Sequence, residues 1–309
     1  MRVLITGIQG FLGYYLSQYL QDMGVEVYGI QRRVKHDEDE RARIYECDVV
    51  DETTLRQVVS KVSPSKIFHF AAQSIPLISW QEPVRTLEVN TIGTLNILKL
   101  VRELGLKARI VLFGSSSEYA ATLEPISEDH PLKPSSPYAL SKISASMLCR
   151  LYYDAYAIDT IILRSFFIIG PRKTGDVCSS FARGIVDIER GKAKTLTVGN
   201  LQSVRDFLDI EDATRAFWLA SEKGQAGDVY NVSSGKGTRI AEVLELLKSR
   251  ALAEITVEQS QEVRPMDNPV AIGRNDKIRS LGWAPTIRLE DSLSKILQYW
   301  REVESRSTV

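Results

Sequence analysis

The stretch RVLITGIQGFLG, residues 2–13, joins an aliphatic run to three glycines that open an amphipathic segment. The run is apolar on both faces and predicts a buried strand, and the segment from residue 11 onward has helical spacing. Glycines at this spacing permit a tight turn and let amides at the helix N-terminus approach a pyrophosphate. In this strand–turn–helix context the pattern predicts a dinucleotide site formed by Gly7, Gly10, Phe11, Leu12 and Gly13.

The remainder of the first half repeats this alternation of short aliphatic runs and amphipathic segments. The runs at 26–30, 66–72, 108–115 and 159–165 are too apolar to be exposed on one face. They predict buried parallel strands with helices on both sides of the sheet. The predicted fold class is therefore α/β, a Rossmann-type doubly wound parallel sheet.

After about residue 165 the alternation of aliphatic runs and amphipathic segments is no longer regular. Residues 227–235 are nevertheless typical of one more buried strand that returns to the sheet. We predict an NADP-binding Rossmann domain over 1–165 with a returning segment over 206–235. Residues 166–205 and 236–309 then form a smaller, interleaved C-terminal substrate-binding lobe. This lobe closes over the carboxyl ends of the strands, where ligands of such sheets bind.

The bulk composition argues against several kinds of protein. The chain has 309 residues with 39 Lys+Arg against 39 Asp+Glu, so no general attraction to nucleic acid or anionic lipid is expected. No apolar run has the length of a membrane span, and the glycine-cut N-terminus lacks the features of a signal peptide. Three cysteines and three histidines without ligand spacing predict neither disulfides nor a metal site. We therefore expect a cytoplasmic protein.

The residues after the second predicted strand indicate which dinucleotide is bound. An NAD-preferring protein usually has an acidic residue there for the ribose hydroxyls, whereas this chain has Arg32 and Arg33. A guanidinium fork suits a 2′-phosphate, so Arg32 favours NADPH, while Arg33 is typical of the solvated charge run that follows. Asp48, at the end of the third strand, can accept from the adenine amino group. Asp51 is predicted to cap the next helix.

The stretch SPYALSK, residues 136–142, places Tyr138 and Lys142 on one face of a predicted helix. A neighbouring ammonium favours the charged form of a phenol, so we expect a lowered pKa for Tyr138 and a role as proton donor. The alternative is an aromatic residue and a lysine on a solvated helix. The pair alone does not decide between the two.

Five motifs now stand in a recognisable order: TGxxGxxG, HFAAQS (69–74), VNTIGTLNIL (89–98), GSSSEYA (114–120) and SPYALSK. With them the chain resembles the extended short-chain dehydrogenases/reductases that act on nucleotide sugars. The resemblance runs nearly end to end, since RSFFIIGP, VRDFLDIEDATRAFWLA, GDVYNVSSG, RPMDNP and LGWAPTIRLEDSL match signatures of the second lobe. It implies NADPH or NADP as cofactor and a nucleotide sugar as substrate.

The resemblance also assigns catalytic roles. Tyr138 is the implied proton donor, Lys142 tunes it and holds the nicotinamide ribose, and Ser115, four residues before Tyr119, hydrogen-bonds the substrate oxygen. Such a group suits carbonyl reduction, because it stabilises and protonates the developing alkoxide. The implied reaction is reduction of the 4-keto group of a nucleotide-linked 4-keto-6-deoxyhexose. The expected substrate is GDP-4-keto-6-deoxy-D-mannose, and the expected product is GDP-D-rhamnose.

Further ligand contacts follow from the same resemblance. Arg205 in RDF and Arg264 in RP would clamp the substrate diphosphate, and Asp267 would meet a ribose hydroxyl. Arg183 is a further candidate, with a solvated helix arginine as the alternative. Asn90 is expected to order water or backbone near Lys142, or else to cap a helix. The other implied residues are Val49, Ala71 and Ala72 for the cofactor and Ser116 for the substrate.

Two departures from the family pattern bear on the reaction. Dehydratases of the family carry a glutamate base two residues after the catalytic Ser/Thr, whereas this chain has Ser117 there and Glu118 one step later. A one-residue shift turns a side chain to the other face, so elimination of water is disfavoured. Phe167 replaces an asparagine that reaches the nucleotide sugar. The alternatives are a 4-epimerase or 4,6-dehydratase with tightly held NAD(P), and a non-catalytic NADPH-binding sensor or scaffold.

The helix that carries SPYALSK is more apolar than one buried face requires. Met147, Leu148, Leu151 and Tyr152 continue an apolar stripe beyond the side that holds Tyr138. A second apolar face usually has a second partner, and the resemblance implies a two-fold homodimer through this helix and the one opening VNTIGTLNILKLV. The alternative is a contact with a neighbouring helix of the same chain.

Overall fold

A computed structural model describes residues 1–34, 41–260 and 268–306. The strands are β1 (Arg2–Thr6), β2 (Glu26–Gln31), β3 (Arg43–Glu46), β4 (Lys66–His69), β5 (Arg109–Ser115), β6 (Thr160–Ser165), β7 (Phe167–Ile169), β8 (Thr195–Val198), β9 (Val204–Asp209), β10 (Val229–Val232), β11 (Gly237–Arg239), β12 (Thr256–Gln259) and β13 (Val270–Ala271). The helices are α1 (Phe11–Asp22), α2 (Glu52–Val62), α3 (Pro76–Gln81), α4 (Pro83–Leu87), α5 (Gly93–Glu103), α6 (Pro137–Tyr156), α7 (Val177–Glu189), α8 (Ile210–Lys223), α9 (Ile240–Lys248), α10 (Asp276–Arg279) and α11 (Leu289–Arg306). A π-helical turn spans Glu88–Ile92, and a 3₁₀ turn spans Ser116–Glu118.

Seven strands form the main sheet in the order β10-β6-β5-β4-β1-β2-β3. Every neighbouring pair is parallel, which is why the strands read as continuous aliphatic runs in the sequence. The strand order reverses between β1 and β4, whose last paired residues are Thr6 and His69. The carboxyl ends of these two strands therefore open the crevice in which doubly wound sheets bind ligands.

Helices cover both faces of this sheet. On one face α1 and α8 bury side chains such as Leu16 and Phe217, and on the other α2, α5 and α6 bury Leu55, Ile97 and Cys149. Two separate apolar clusters thus enclose the strands, and the Rossmann-type prediction is confirmed. The predicted cap of α2 is also present, because the Asp51 carboxylate accepts from the amides of Thr53 and Thr54.

The second lobe has its own core. It is built from β11, β9 and β13 with β7 against β9, from the pair β12–β8, and from α7, α9 and α11. Because β9 lies in this smaller sheet while α8 and β10 lie in the main unit, the chain crosses between the lobes more than once. The lobes are interleaved, and the residue limits assigned above to each domain stay a prediction. In the described part of the chain, no helix combines the length and apolar character that crossing a bilayer requires.

Candidate active site

The glycine turn after β1 has the geometry of a phosphate cradle. Gly7 has a φ of +70°, a region that favours glycine, and a Cβ on it would lie 3.0 Å from the amide nitrogen of Ala71. A Cβ on Gly13 would lie 2.3 Å from the Gly7 carbonyl oxygen. Helix α1 starts at Phe11 after Gly10, which has no side chain to cap it. The first amides of α1, Phe11 and Leu12 among them, are therefore free of side-chain caps and suited to an anion.

A chain of hydrogen bonds beneath this turn joins β1 to the π-helical turn. The Ala71 amide donates to Thr6 Oγ1 (3.1 Å), which lies 2.8 Å from His69 Nδ1. His69 Nε2 lies 3.1 Å from the hydroxyl of Thr94, and that hydroxyl donates to the Asn90 carbonyl. Burial lowers the pKa of His69 to about 3, so the ring is neutral and can donate at one nitrogen while accepting at the other.

Sequence reasoning assigned His69 no role beyond ruling out zinc. The sequence feature that could have indicated a role is its position, because His69 is a polar residue at the end of an aliphatic run. The carboxyl ends of strands in a doubly wound sheet border the ligand-binding crevice. In the structure His69 contacts the Thr6 hydroxyl that accepts from the Ala71 amide, and Ala72 follows on the half-buried loop.

The residues expected around the adenosine end lie at the ends of β2 and β3. Arg32 and Arg33 are both exposed directly after β2, and the described residues stop at 34 before resuming at 41. The Asp48 carboxylate pairs with Arg85 at 2.5 Å and accepts from the Val50 amide. A contact of Asp48 with adenine stays a prediction and would share the carboxylate with Arg85. Val49 is buried against the start of α5, where a Cβ on Gly93 would lie 2.7 Å from Val49 Cγ2. Its side chain therefore separates this region from α5.

The catalytic candidates meet at the carboxyl edge of the sheet. Ser115 ends β5, and helix α6 begins at Pro137 after the Ser136 side chain caps it by accepting from the Ala139 amide. Tyr138 and Lys142 then share the buried face of α6. The Ser115 hydroxyl lies close enough to Tyr138 to act on the pKa of the phenol by hydrogen bonding. The structure therefore brings together Ser115, Tyr138 and Lys142, the three catalytic candidates from the sequence.

The pKa values of this group are set mainly by burial. Burial raises the pKa of Tyr138 to about 12, although the hydrogen bond from Ser115 lowers it. The expectation of a lowered pKa was wrong, because desolvation dominates and the Lys142 ammonium lies 6.0 Å from the ring centre. Burial also lowers the pKa of Lys142 to about 8, and its Nζ donates to the Phe113 carbonyl at 2.8 Å. Near neutral pH the phenol therefore holds its proton and the lysine is mostly charged.

Asn90 lies inside the π-helical turn and does not cap a helix, so that alternative was wrong. Its Oδ1 accepts from the Gln73 amide at 2.8 Å, and its Nδ2 donates to the Gln73 carbonyl and to the Ser141 hydroxyl. The Ser141 hydroxyl in turn donates to the Tyr138 carbonyl at 2.7 Å. Asn90 thus fixes the loop after β4 against α6, as expected for a residue that orders backbone near Lys142.

The carboxylate expected of a dehydratase is absent from the position beside Ser115. Ser117 occupies that place, and its hydroxyl donates to Ser115 Oγ at 2.8 Å. Glu118, one residue later, is fully buried and pairs with Arg164 at 2.9 Å. Its two oxygens also accept from the Ser115 amide and the Ser146 hydroxyl. Since internal donors occupy both oxygens, Glu118 is not placed to remove a proton from a substrate.

Two of the second-lobe residues singled out in the sequence, Arg205 and Phe167, are in contact. The guanidinium carbon of Arg205 lies 5.3 Å from the centre of the Phe167 ring, and Nη1 donates to the carbonyls of Val204 and Pro269. Arg205 is only 6% exposed. The aromatic ring therefore packs against the arginine expected to meet the substrate diphosphate.

The other predicted substrate residues fall into three groups. Ser116 follows Ser115 in the 3₁₀ turn and is half-buried. Arg183 is exposed on α7, with its guanidinium carbon 4.9 Å from the centre of the Trp300 ring on α11. The exposure of Arg183 fits the solvated-arginine alternative, and a contact with the substrate stays a prediction. Arg264 and Asp267 lie outside the described residues.

Comparison with known proteins agrees with this geometry. A model of the GDP-mannose 4,6 dehydratase family matches residues 4–296. GDP-6-deoxy-D-mannose reductase of Pseudomonas aeruginosa is 31% identical over 306 residues, with 97% of each chain covered. UDP-glucuronate 4-epimerase of Thermodesulfobacterium geofontis is 28% identical, with 97% of this chain and 96% of the relative covered.

Solved structures give the same picture. RMD from Pseudomonas aeruginosa in complex with NADPH superposes with a TM-score of 0.87 at 30% identity, covering 98% of this chain and 99% of that one. UDP-glucose 4-epimerase from Thermotoga maritima with UDP-glucose has a TM-score of 0.89 at 27% identity, covering 98% and 100%. The family model spans most of the chain, and the glycine turn and the Ser–Tyr–Lys group lie within the matched region. The chain therefore belongs to the GDP-mannose 4,6-dehydratase family of short-chain dehydrogenases/reductases.

Proposed function

We propose that the protein is an NADPH-dependent reductase that converts GDP-4-keto-6-deoxy-D-mannose to GDP-D-rhamnose. The observation that carries the proposal is the assembled group of Ser115, Tyr138 and Lys142 beside a serine, Ser117, where a dehydratase has its carboxylate. The similarity to GDP-6-deoxy-D-mannose reductase and to RMD with NADPH points to the same substrate and cofactor.

The protonation states suit a reduction. Tyr138, with a pKa of about 12, keeps its proton until a stronger base forms beside it. An alkoxide at carbon 4 of the sugar is such a base, and the phenol can protonate it while the Ser115 hydroxyl donates a hydrogen bond to the same oxygen. Lys142 supplies a positive charge that stabilises the phenolate left behind.

The residues present fit an NADPH molecule. Gly7 and Gly13 permit the tight turn, because a Cβ at either position would meet backbone atoms, and the first amides of α1 have no side-chain cap and are free to bind a pyrophosphate. Exposed Arg32 at the end of β2 would hold the 2′-phosphate, and Lys142 the nicotinamide ribose. When bound, NADPH supplies the hydride that is added to carbon 4.

Elimination of water is less well supported by the site. A 4,6-dehydratase needs a base for the proton on carbon 5 of the sugar, and Glu118 is engaged by Arg164, Ser146 and the Ser115 amide. An epimerase or dehydratase cycle regenerates its cofactor and holds it tightly. Stoichiometric NAD in the purified protein would therefore favour that alternative, and NADPH binding without turnover would favour a sensor or scaffold.

The deciding experiment follows NADPH oxidation at 340 nm with a panel of 4-keto-6-deoxy sugar nucleotides that carry GDP, UDP or dTDP. We expect turnover with the GDP-linked 4-keto-6-deoxymannose and a product that NMR identifies as GDP-D-rhamnose. Absence of turnover with every GDP-linked compound would contradict the proposal. Turnover only with another nucleotide would retain the reductase and correct the substrate.

We also propose that two copies associate through α5 and α6. Met147 and Leu151 on α6 are 63% and 58% exposed, and Leu140 and Ile92 extend the apolar surface. Within the described residues no helix of the same chain covers them, which argues against the intrachain alternative. Leu148 and Tyr152, which the sequence placed in the stripe, are half-buried against the main core. Burying the exposed side chains against a second copy gives an isologous contact.

The proposed location is the cytoplasm. Cys47, Cys149 and Cys178 are all free and buried, which suits a reducing compartment.

A further inference from the structure

Glu118 is a charged side chain with no exposure to solvent, and the proposed reaction gives it no task. Its Oε2 accepts from Arg164 Nε at 2.9 Å and from the Ser146 hydroxyl at 2.8 Å, while Oε1 accepts from the Ser115 amide at 2.8 Å. Burying an ion pair costs more in desolvation than an apolar pair of similar size. A feature of this kind at the edge of a reaction site is a candidate for a specific positioning role.

The contact between Glu118 and Ser115 lies within a single turn and is reciprocal. Ser115 is the N-cap of the 3₁₀ turn Ser116–Glu118, and its Oγ accepts from the Ser117 amide while its own amide donates to Glu118. The turn is a reciprocal capping box, which fixes both the backbone and the side chain of its first residue. A Cβ on Gly114 would lie 2.6 Å from Glu118 Oε1, so the glycine makes room for the carboxylate directly beneath the strand end.

Arg164 and Ser146 hold the carboxylate from two other elements. Arg164 lies on β6, next to β5 in the sheet, and its guanidinium carbon lies 4.8 Å from the centre of the Tyr119 ring. Ser146 lies on α6, one turn beyond Lys142. Glu118 therefore joins β5, β6 and the catalytic helix at the point where Ser115 meets Tyr138.

We infer that Glu118 is a positioning residue that acts through Ser115. Its carboxylate anchors the Ser115 amide to β6 and α6, and so holds the Ser115 hydroxyl in register with the phenol of Tyr138. Glu118 itself does not meet the substrate. The inference rests on the proposed reductase activity, because the alignment of Ser115 with Tyr138 matters only if both act on one oxygen.

The test compares two double variants that differ in a single acceptor. Glu118→Gln/Arg164→Met removes both charges and retains a carbonyl oxygen for the Ser115 amide, whereas Glu118→Leu/Arg164→Met removes that oxygen as well. Both are measured with Ser115 present and in a Ser115→Ala background, with circular dichroism and NADPH affinity as checks of folding. With Ser115 present we expect kcat of the leucine pair to be lower by about tenfold or more, a loss typical of misplaced reacting groups.

The Ser115→Ala background separates positioning from general support of the fold. There we expect the two pairs to differ by less than about twofold, since residues that act as a unit are non-additive. An equal difference in both backgrounds, or none with Ser115 present, would overturn the inference. If the wild-type protein fails to oxidise NADPH with every sugar nucleotide tested, that result refutes the proposed function and not this inference.

A milder variant covers the case in which the leucine pair does not fold. Ser146→Ala removes one donor from Glu118 and leaves both charges in place. We expect it to lower kcat by about threefold with Ser115 present and to have no effect in the Ser115→Ala background. Equal effects in the two backgrounds, or no effect in either, contradict the role.

Discussion

Arg205 and Phe167 are stacked, with 5.3 Å between the guanidinium carbon and the centre of the ring. From the family resemblance, an asparagine that reaches the nucleotide sugar is expected at position 167, and Arg205 is expected to meet the diphosphate. The aromatic residue cannot donate a hydrogen bond to the substrate. Its ring instead packs against the Arg205 guanidinium and can help to orient it.

Phe167→Leu tests this support. Leucine retains apolar bulk but removes the aromatic face, and a cation–π contact contributes about 0.5–2 kcal/mol. We expect KM for the GDP-sugar to rise about three- to tenfold, as Arg205 becomes less well oriented, while kcat changes less than about twofold. Steady-state kinetics give both values. An unchanged KM would show that the stacking does not contribute to substrate binding.

Tyr138→Phe tests the proton donor. The variant keeps the aromatic ring at this position of α6 but removes the hydroxyl that is proposed to give up the proton. We expect kcat to fall by about a hundredfold or more, the range for loss of a general acid, with the Kd for NADPH within about twofold. Fluorescence titration of NADPH is the control. Near-normal turnover would assign proton donation to another group.

The pH dependence of kcat tests the charge on Lys142. Burial lowers the pKa of this lysine to about 8, so its ammonium is present below that pH and is lost as the pH rises through it. We expect kcat to be level below about pH 7.5 and to decline above about pH 8. Tyr138, with a pKa of about 12, stays protonated over this range and cannot cause the decline.

Lys142→Met provides the matched comparison. The variant has no charge to lose, so we expect a low kcat that does not decline between about pH 7 and 9. The same decline in wild type and variant would trace the pH effect to a different group.

Arg32→Ala tests the choice of cofactor. Loss of a guanidinium that binds a 2′-phosphate should raise the Kd for NADPH by about tenfold or more and leave the Kd for NADH unchanged. Arg33→Ala is the matched control, since Arg33 is also exposed and is expected to shift either Kd by less than about threefold. Equal losses in the two variants would indicate a diffuse charge effect.

Met147→Asp tests the proposed dimer. It places a carboxylate in the centre of the exposed apolar surface of α6, where burial without a partner is costly. We expect sedimentation velocity to show a dimer for the wild type and a monomer for the variant at low micromolar concentration. Leu252→Asp is the control, because Leu252 is 80% exposed on the second lobe and lies outside that surface. A monomeric wild type would refute the proposal.

The sequence alone was sufficient for the elements whose signal is local. The aliphatic runs predicted the parallel strands, because a strand buried on both faces must be apolar throughout. The glycine spacing predicted the turn after β1, and the position of Asp51 predicted the cap of α2. The i, i+4 spacing in α6 predicted that Tyr138 and Lys142 share a face.

What depends on contacts between distant residues was decided by the tertiary structure. A pKa reflects desolvation by the whole fold, which is why that of Tyr138 is raised although its nearest charged neighbour in the sequence argues for the reverse. The stacking of Phe167 on Arg205 joins β7 to β9, and the pairing of Glu118 with Arg164 joins residues 46 positions apart. Helix and strand periodicity describes only neighbouring residues, so it cannot predict contacts between segments this far apart in the sequence. The sequence thus determined which side chains stand on each element, and the packing of the elements determined what those side chains meet.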